Sequence, residues 1–191
     1  MKPSKPFRYA GAFLACNLLR LFRFFPNNDP IMAFVLPFSR QDKWFYSALF
    51  AFATMVVFDY FTSGIGVWTF TTAIAYTAIA IGAHFYFKNR KKMSMKTYLG
   101  TGIAGILFFD FVTGVLFGPT MFGVPIQAAF LGQIPFTLLH IASASAYIAL
   151  IVPFLDKQAS ILPLDMAQKT REIAGVLGVL PKKILFLLQK K

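Results

Sequence analysis

Long apolar stretches, separated by short segments rich in turn formers, run through most of this chain. The longest stretches are residues 44–61, 67–87, 97–118 and 126–155. Each contains roughly the 20 residues that a helix needs to cross the hydrocarbon core of a bilayer. The pattern therefore predicts an all-α, polytopic membrane bundle over residues 1–155.

Two weaker apolar stretches, residues 9–25 and 30–38, precede the four long ones. The turn-forming segment Pro26-Asn27-Asn28-Asp29-Pro30 lies between them. The second stretch is too short to span a bilayer, but a short broken helix is tolerated at membrane depth when its neighbours bury it. We therefore predict six transmembrane helices. The alternative is five, with an interfacial helix at residues 9–25.

The distribution of positive charge predicts the orientation. The loop at residues 88–96 carries five cations, and loops rich in Lys and Arg remain in the cytoplasm. With six spans, both termini are cytoplasmic, and every Lys and Arg except Arg20 and Arg23 falls on the cytoplasmic side. The net charge of +12 is thus a topology signal in a multi-pass protein of the cell (inner) membrane. We expect contacts with membrane lipids and no nucleic-acid partner.

Residues 156–191 form a second region of different character. Apolar residues alternate there with Lys and Arg, and Pro163 and Pro181 interrupt the pattern. No apolar run in this region is long enough to span a membrane. The pattern is typical of basic amphipathic helices that lie on the cytoplasmic surface of a membrane. Docking to a partner protein is the alternative role of this tail.

A short phrase occurs twice, each time near the end of a long apolar stretch: Phe58-Asp59-Tyr60-Phe61-Thr62 and Phe109-Asp110-Phe111-Val112-Thr113. Carboxylates inside a membrane are costly and usually face a cavity, a partner or the interface. With Asp29, they place three acids near the outer mouth of the bundle, which predicts a binding site. The alternative is structural, with each carboxylate capping the following turn or pairing with a neighbouring helix.

Other polar and aromatic residues are predicted near the same mouth. They are His140 within the last span, Trp68 beside the first Asp-Gly turn, and Gln127 and Gln133. In the fifth predicted span, Gly100, Gly102 and Gly105 predict close helix contacts. The sequence lacks the motifs of nucleotide-binding loops, zinc proteases and serine hydrolases, and Cys16 is its one cysteine. We therefore expect no enzyme activity, no cofactor and no metal centre.

The six-span layout, the Pro-bracketed segment at residues 26–30, the Asp-containing phrases and Gly118-Pro119 resemble the S components of energy-coupling factor (ECF) transporters, and related uncharacterised membrane families of the same fold. The resemblance implies that the outer loops and the last spans enclose a substrate. It assigns substrate binding to Asn28, Asp29, Asp59, Trp68, Asp110, Gln127, Gln133 and His140. It also implies that small residues of the first span meet a transmembrane coupling subunit, and here these are Gly11, Ala12, Ala15 and Cys16.

The function predicted from the sequence is therefore a substrate-capture subunit for uptake of a small molecule, vitamin-like or a cofactor precursor, energised by separate ATPase and coupling subunits. The alternative is a membrane scaffold without transport activity, resembling the rod-shape-determining protein MreD. Its cytoplasmic loops and tail would recruit partners.

Overall fold

The computed structural model describes residues 4–24, 26–90 and 93–159, and this part of the chain consists of helices and turns without a strand. The α-helices are α1 (Lys5–Phe22), α2 (Ile31–Gln41), α3 (Trp44–Phe61), α4 (Val67–Lys88), α5 (Met95–Asp110), α6 (Gly118–Phe122) and α7 (Ile126–Leu155). A π-helical segment, Phe111–Phe117, joins α5 to α6, and a 3-10 turn, Lys157–Ala159, follows α7. The predicted amphipathic tail beyond residue 159 lies outside the described residues.

Within the described residues, four helical segments are long and apolar enough to cross a membrane. They are Trp44–Phe61, Val67–Lys88, Met95–Phe122 and Ile126–Leu155. They coincide with the four long apolar stretches of the sequence, and they indicate a membrane protein. Helix α1 has 18 residues but is not apolar enough to meet this description, and α2, with 11 residues, is too short.

Helix α2 lies at the centre of the bundle, although it is only 11 residues long. Its first nine residues, 31–39, are all buried, and it packs against α3, α4 and α7. At 1.5 Å per residue it extends about 16 Å, roughly half the thickness of the hydrocarbon core. The prediction of a short helix that its neighbours bury is confirmed.

Ion pairs close the end of the bundle where α1 begins and where α2 and α7 end, which we call the basic end. The Asp42 carboxylate follows α2 and pairs with Lys5 at 3.0 Å and with Arg8. The Asp156 carboxylate follows α7, pairs with Arg40 and accepts a hydrogen bond from the Tyr98 hydroxyl. These two buried acids tie α1, α2, α5 and α7 together.

Glycines let α5 approach its neighbours closely. A Cβ atom on Gly102 would lie 2.4 Å from Cδ1 of Ile148 on α7, and one on Gly105 would lie 2.6 Å from Cε of Met32 on α2. Real Cβ atoms essentially never make such short contacts. Close packing at Gly102 and Gly105 agrees with the sequence prediction, whereas Gly100 faces open space.

Candidate functional site

A cavity of about 480 Å³ opens at the end of the bundle opposite the basic end, which we call the cavity end. Residues from α1, the start of α2, α3, α4, α5, the π-helical segment and α7 line it. Six of the residues predicted from the sequence are among them: Asn28, Asp29, Asp59, Trp68, Gln133 and His140. The fold thus gathers side chains that are far apart in the chain.

His140 connects two carboxylates through opposite edges of its imidazole ring. Its Nδ1 atom lies 2.9 Å from Oδ1 of Asp110, and its Nε2 atom lies 3.3 Å from Oδ2 of Asp29. Only 4% of His140 and 1% of Asp110 are exposed. A neutral imidazole has a single N–H donor. Two hydrogen bonds to carboxyl groups therefore require one additional proton, either on the ring or on one of the acids.

The loop between α1 and α2 holds Asp29 in this position. The Asp29 backbone N–H donates to Oγ of Ser143 at 3.1 Å, and its Oδ1 atom accepts from the N–H of Ile31 at 2.9 Å. That second bond satisfies a free donor in the first turn of α2. Asn28 donates to the Leu19 carbonyl at 2.7 Å and accepts from the Tyr147 hydroxyl at 2.6 Å. The loop is therefore fastened to α1, α2 and α7.

Asp59 lies in the last turn of α3, and its backbone carbonyl and its side-chain carboxylate have separate roles. Its backbone carbonyl accepts hydrogen bonds from the N–H groups of Thr62 at 3.1 Å, Ser63 at 3.0 Å and Gly64 at 2.7 Å. Gly64 has a φ of 83°, which favours glycine. The backbone thus caps this turn, and the structural alternative of a capping carboxylate does not hold for Asp59. Among the described residues, the Asp59 carboxylate has no hydrogen-bond or ion-pair partner, although only 9% of the residue is exposed.

Asp110 lies at the junction between α5 and the π-helical segment. One carboxylate oxygen contacts His140, whereas the other, Oδ2, is buried without a partner in the described structure. Asp110 also lines a second, apolar cavity of about 490 Å³ against α7. For Asp110, the alternative of pairing with a neighbouring helix is observed. This pairing uses one carboxylate oxygen and leaves the other without a hydrogen bond in the described structure.

The π-helical segment brings α5 close to α7 at the cavity. A Cβ atom on Gly114 would lie 2.0 Å from Oε1 of Gln133, so a larger residue at position 114 would require the Gln133 side chain to move. Thr113 and Gly114 both line the cavity. Single π-helical turns inside α-helices frequently mark functional sites. No periodicity in the sequence indicates this local widening of the helix.

Some predicted residues lie elsewhere. Gln127, in the first turn of α7, is exposed and does not line the cavity. On α1, Ala12 and Cys16 are buried within this chain, so only Gly11 and Ala15 of the predicted coupling face have accessible surface. The inward direction of Ala12 and Cys16 follows from the packing of α1 beside α2 and α3.

The cavity also contains residues that sequence reasoning did not select: Arg20, Tyr76, Phe109 and Phe136. The Arg20 guanidinium stacks on the Phe58 ring, with its Cζ atom 3.9 Å from the ring centroid, and it donates to the Thr54 carbonyl at 3.4 Å. An arginine inside an apolar stretch is a usable signal. The three aromatic residues had none, because they resemble the many lipid-facing aromatics of the chain.

The donor set does not favour a metal ion. No group of three or more His, Cys, Asp or Glu side chains that could hold a metal occurs in the parts of the chain that the structure describes. The geometry explains this result, because the His140 ring stands between the carboxylates of Asp29 and Asp110. These acids therefore do not converge on one point.

Comparisons of the chain with models of known protein families, with curated proteins and with solved structures found no match. The resemblance to ECF S components therefore stays a prediction.

Proposed function

We propose that this protein captures a small molecule in the cavity at the cavity end and serves as the substrate-binding subunit of an uptake system. The observation that carries this proposal is Asp59, which lines the cavity, is 9% exposed as a residue, and has a carboxylate without a hydrogen-bond or ion-pair partner among the described residues. A carboxylate within a membrane bundle is costly unless a cavity, water or a partner stabilises it. A bound ligand would supply the missing partner.

We further propose that α1 and α2 count among six helices within the bilayer and that the basic end faces the cytoplasm. The cations of the described residues support this orientation. Those at the basic end are Lys5, Arg8, Arg40, Lys43, Lys88, Arg90, Lys96 and Lys157, whereas the cavity end has Arg20 and Arg23. By the positive-inside rule, the cavity then opens outward.

The energy for uptake would come from separate subunits, because the sequence has no nucleotide-binding glycine loop. The accessible small residues of α1, Gly11 and Ala15, support a close helix contact with a transmembrane coupling subunit. This arrangement is the one implied by the resemblance to S components.

The test is mass spectrometry of the protein purified in mild detergent, before and after denaturation. We expect a stoichiometric small molecule, other than a phospholipid, to be released on unfolding. Asp59→Asn should lower its occupancy, because the substitution removes a charge from the cavity. Asp42→Asn is the matched control, because it removes a charge at the basic end and should leave the occupancy per folded molecule unchanged.

Phospholipid alone, in preparations from several growth media, would contradict capture of a small molecule. Equal occupancy in Asp59→Asn and in the unchanged protein would contradict the assignment of Asp59 to the site.

A further inference from the structure

The cavity carries an excess of negative charge. As shown above, the group formed by Asp29, His140 and Asp110 holds one additional proton, so two carboxylates and an imidazole retain one net negative charge wherever that proton resides. Asp59 adds a second negative charge, and Arg20 offsets one. One net negative charge therefore remains in a largely buried site.

Arg20 does not neutralise Asp59 directly. Its guanidinium is engaged with α3 through the Phe58 ring and the Thr54 carbonyl. In the described structure, the Asp59 carboxylate lies in no ion pair within 4.0 Å of a cationic side chain. The protein thus leaves this carboxylate without a counterion, and a positively charged ligand would provide one.

Aromatic rings form much of the cavity wall. Trp68, Tyr76, Phe109 and Phe136 line it, and the Tyr76 and Phe109 ring centroids lie 4.3 Å apart. The faces of aromatic rings attract cations, and aromatic cages recognise quaternary ammonium groups. The volume of about 480 Å³ suits a small organic molecule.

Building on the proposed capture function, we propose that the ligand is a small organic cation, a quaternary ammonium compound or a protonated amine, with Asp59 as its counterion and the aromatic rings as its walls. A bare metal ion is a poorer match, because Asp29 and Asp110 bind opposite edges of His140 and because aromatic rings cannot replace a hydration shell of oxygen ligands.

The two tryptophans of the chain permit a direct test. Trp68 lines the cavity, and Trp44 lies at the basic end, at the start of α3. Trp44 is 48% exposed, so Trp44→Phe should preserve the fold and leave Trp68 as the single tryptophan reporter. In this background, choline and benzyltrimethylammonium are titrated in mild detergent. Each is paired with the uncharged isostere in which carbon replaces the quaternary nitrogen.

We expect at least one of the two cations to change Trp68 fluorescence saturably, with a dissociation constant at least about tenfold lower than that of its uncharged isostere. A tenfold preference corresponds to about 1.4 kcal/mol. Asp59→Asn should remove the preference, and Asp59→Glu, which keeps the charge, should retain most of it. Thermal melting of each variant checks that it is folded.

The inference is overturned if neither cation binds, if an uncharged isostere binds as tightly as its cation, or if Asp59→Asn leaves the preference unchanged. The capture function is tested separately by the molecule released on denaturation. If the molecule released on denaturation is neutral or anionic, the proposed capture function stands, but the proposal of a cationic ligand is overturned.

Discussion

His140 is the residue on which the interior of the site depends. It lies between two buried carboxylates, and the Asp110 carboxylate has no other hydrogen-bond partner among the described residues. Removing one member of a buried ionic group leaves uncompensated charge, which costs more than losing a neutral hydrogen bond. The polar side chains of the cavity end are thus a source of stability.

We expect His140→Leu to lower the free energy of unfolding at neutral pH by about 3–5 kcal/mol. His84→Leu is the matched control. His84 is half-buried, and its Nδ1 atom lies 2.8 Å from the Ser39 carbonyl oxygen, so its loss should cost about 1–3 kcal/mol. Thermal melting of both variants in one detergent makes the comparison. Equal losses would contradict a special role for the His140 contacts.

The sequence could indicate which polar residues were costly in a membrane, but it could not indicate their partners. Asp29, Asp59 and His140 stood out because each interrupts or ends an apolar stretch, and the structure places all three around one cavity. The hydrogen bond between His140 and Asp110 depends on how α5 and α7 are rotated about their axes relative to each other. No local sequence pattern predicts that rotation. Asp42 and Asp156 were missed for the same reason, since their partners come from other helices.

At the scale of elements, the packing of α5 against α7 depends on a few glycine positions. Gly102 faces Ile148, which is buried and has little room to move, whereas a Cβ atom on Gly100 would meet nothing within 4 Å. These two glycines lie two residues apart in one helix. They therefore separate the effect of packing from the effect of helix propensity.

We expect Gly102→Ala to destabilise the protein by about 1–3 kcal/mol, because the added methyl group overfills the contact with α7. Gly100→Ala should be neutral or stabilising by up to about 1 kcal/mol, because alanine favours the helix and finds open space. Melting temperatures of the two variants give the answer. Similar destabilisation by both substitutions would show that the close contact between Gly102 and Ile148 does not determine the loss of stability.

The long helices were predictable because apolar length is a strong signal. Helix α2 was predictable as a short element from the turn-forming segment at residues 26–30 that precedes it and from its short apolar run. The π-helical segment was not predictable, because Phe111–Phe117 has the composition of an ordinary membrane helix. Within it, Gly114 approaches Gln133 closely, and this approach exists only once the segment and α7 have packed together.

At the scale of the whole molecule, the proposed orientation can be tested with cysteine labelling. Cys16 is buried and is the one cysteine of the chain, so Cys16→Ala provides a background without thiols. Val124→Cys reports on the cavity end and Asn89→Cys on the basic end, since both positions are exposed. We expect a membrane-impermeant maleimide to label intact cells at position 124 only. The reverse pattern would contradict the orientation.

The shortness of α2 has a consequence for how a solute could pass through this protein. The cavity lies at the N-terminal end of α2, where Ile31 lines it. The buried body of the helix fills the bundle between the cavity and the basic end. At the C-terminal end of α2, the pairs of Asp42 with Arg8 and of Asp156 with Arg40 fix the helix to α1 and α7. In this conformation the cavity that His140 and Asp59 line opens at the cavity end. Under the proposed uptake function, delivery to the basic end requires α2 to move, and this movement breaks the ion pairs of Asp42 and Asp156.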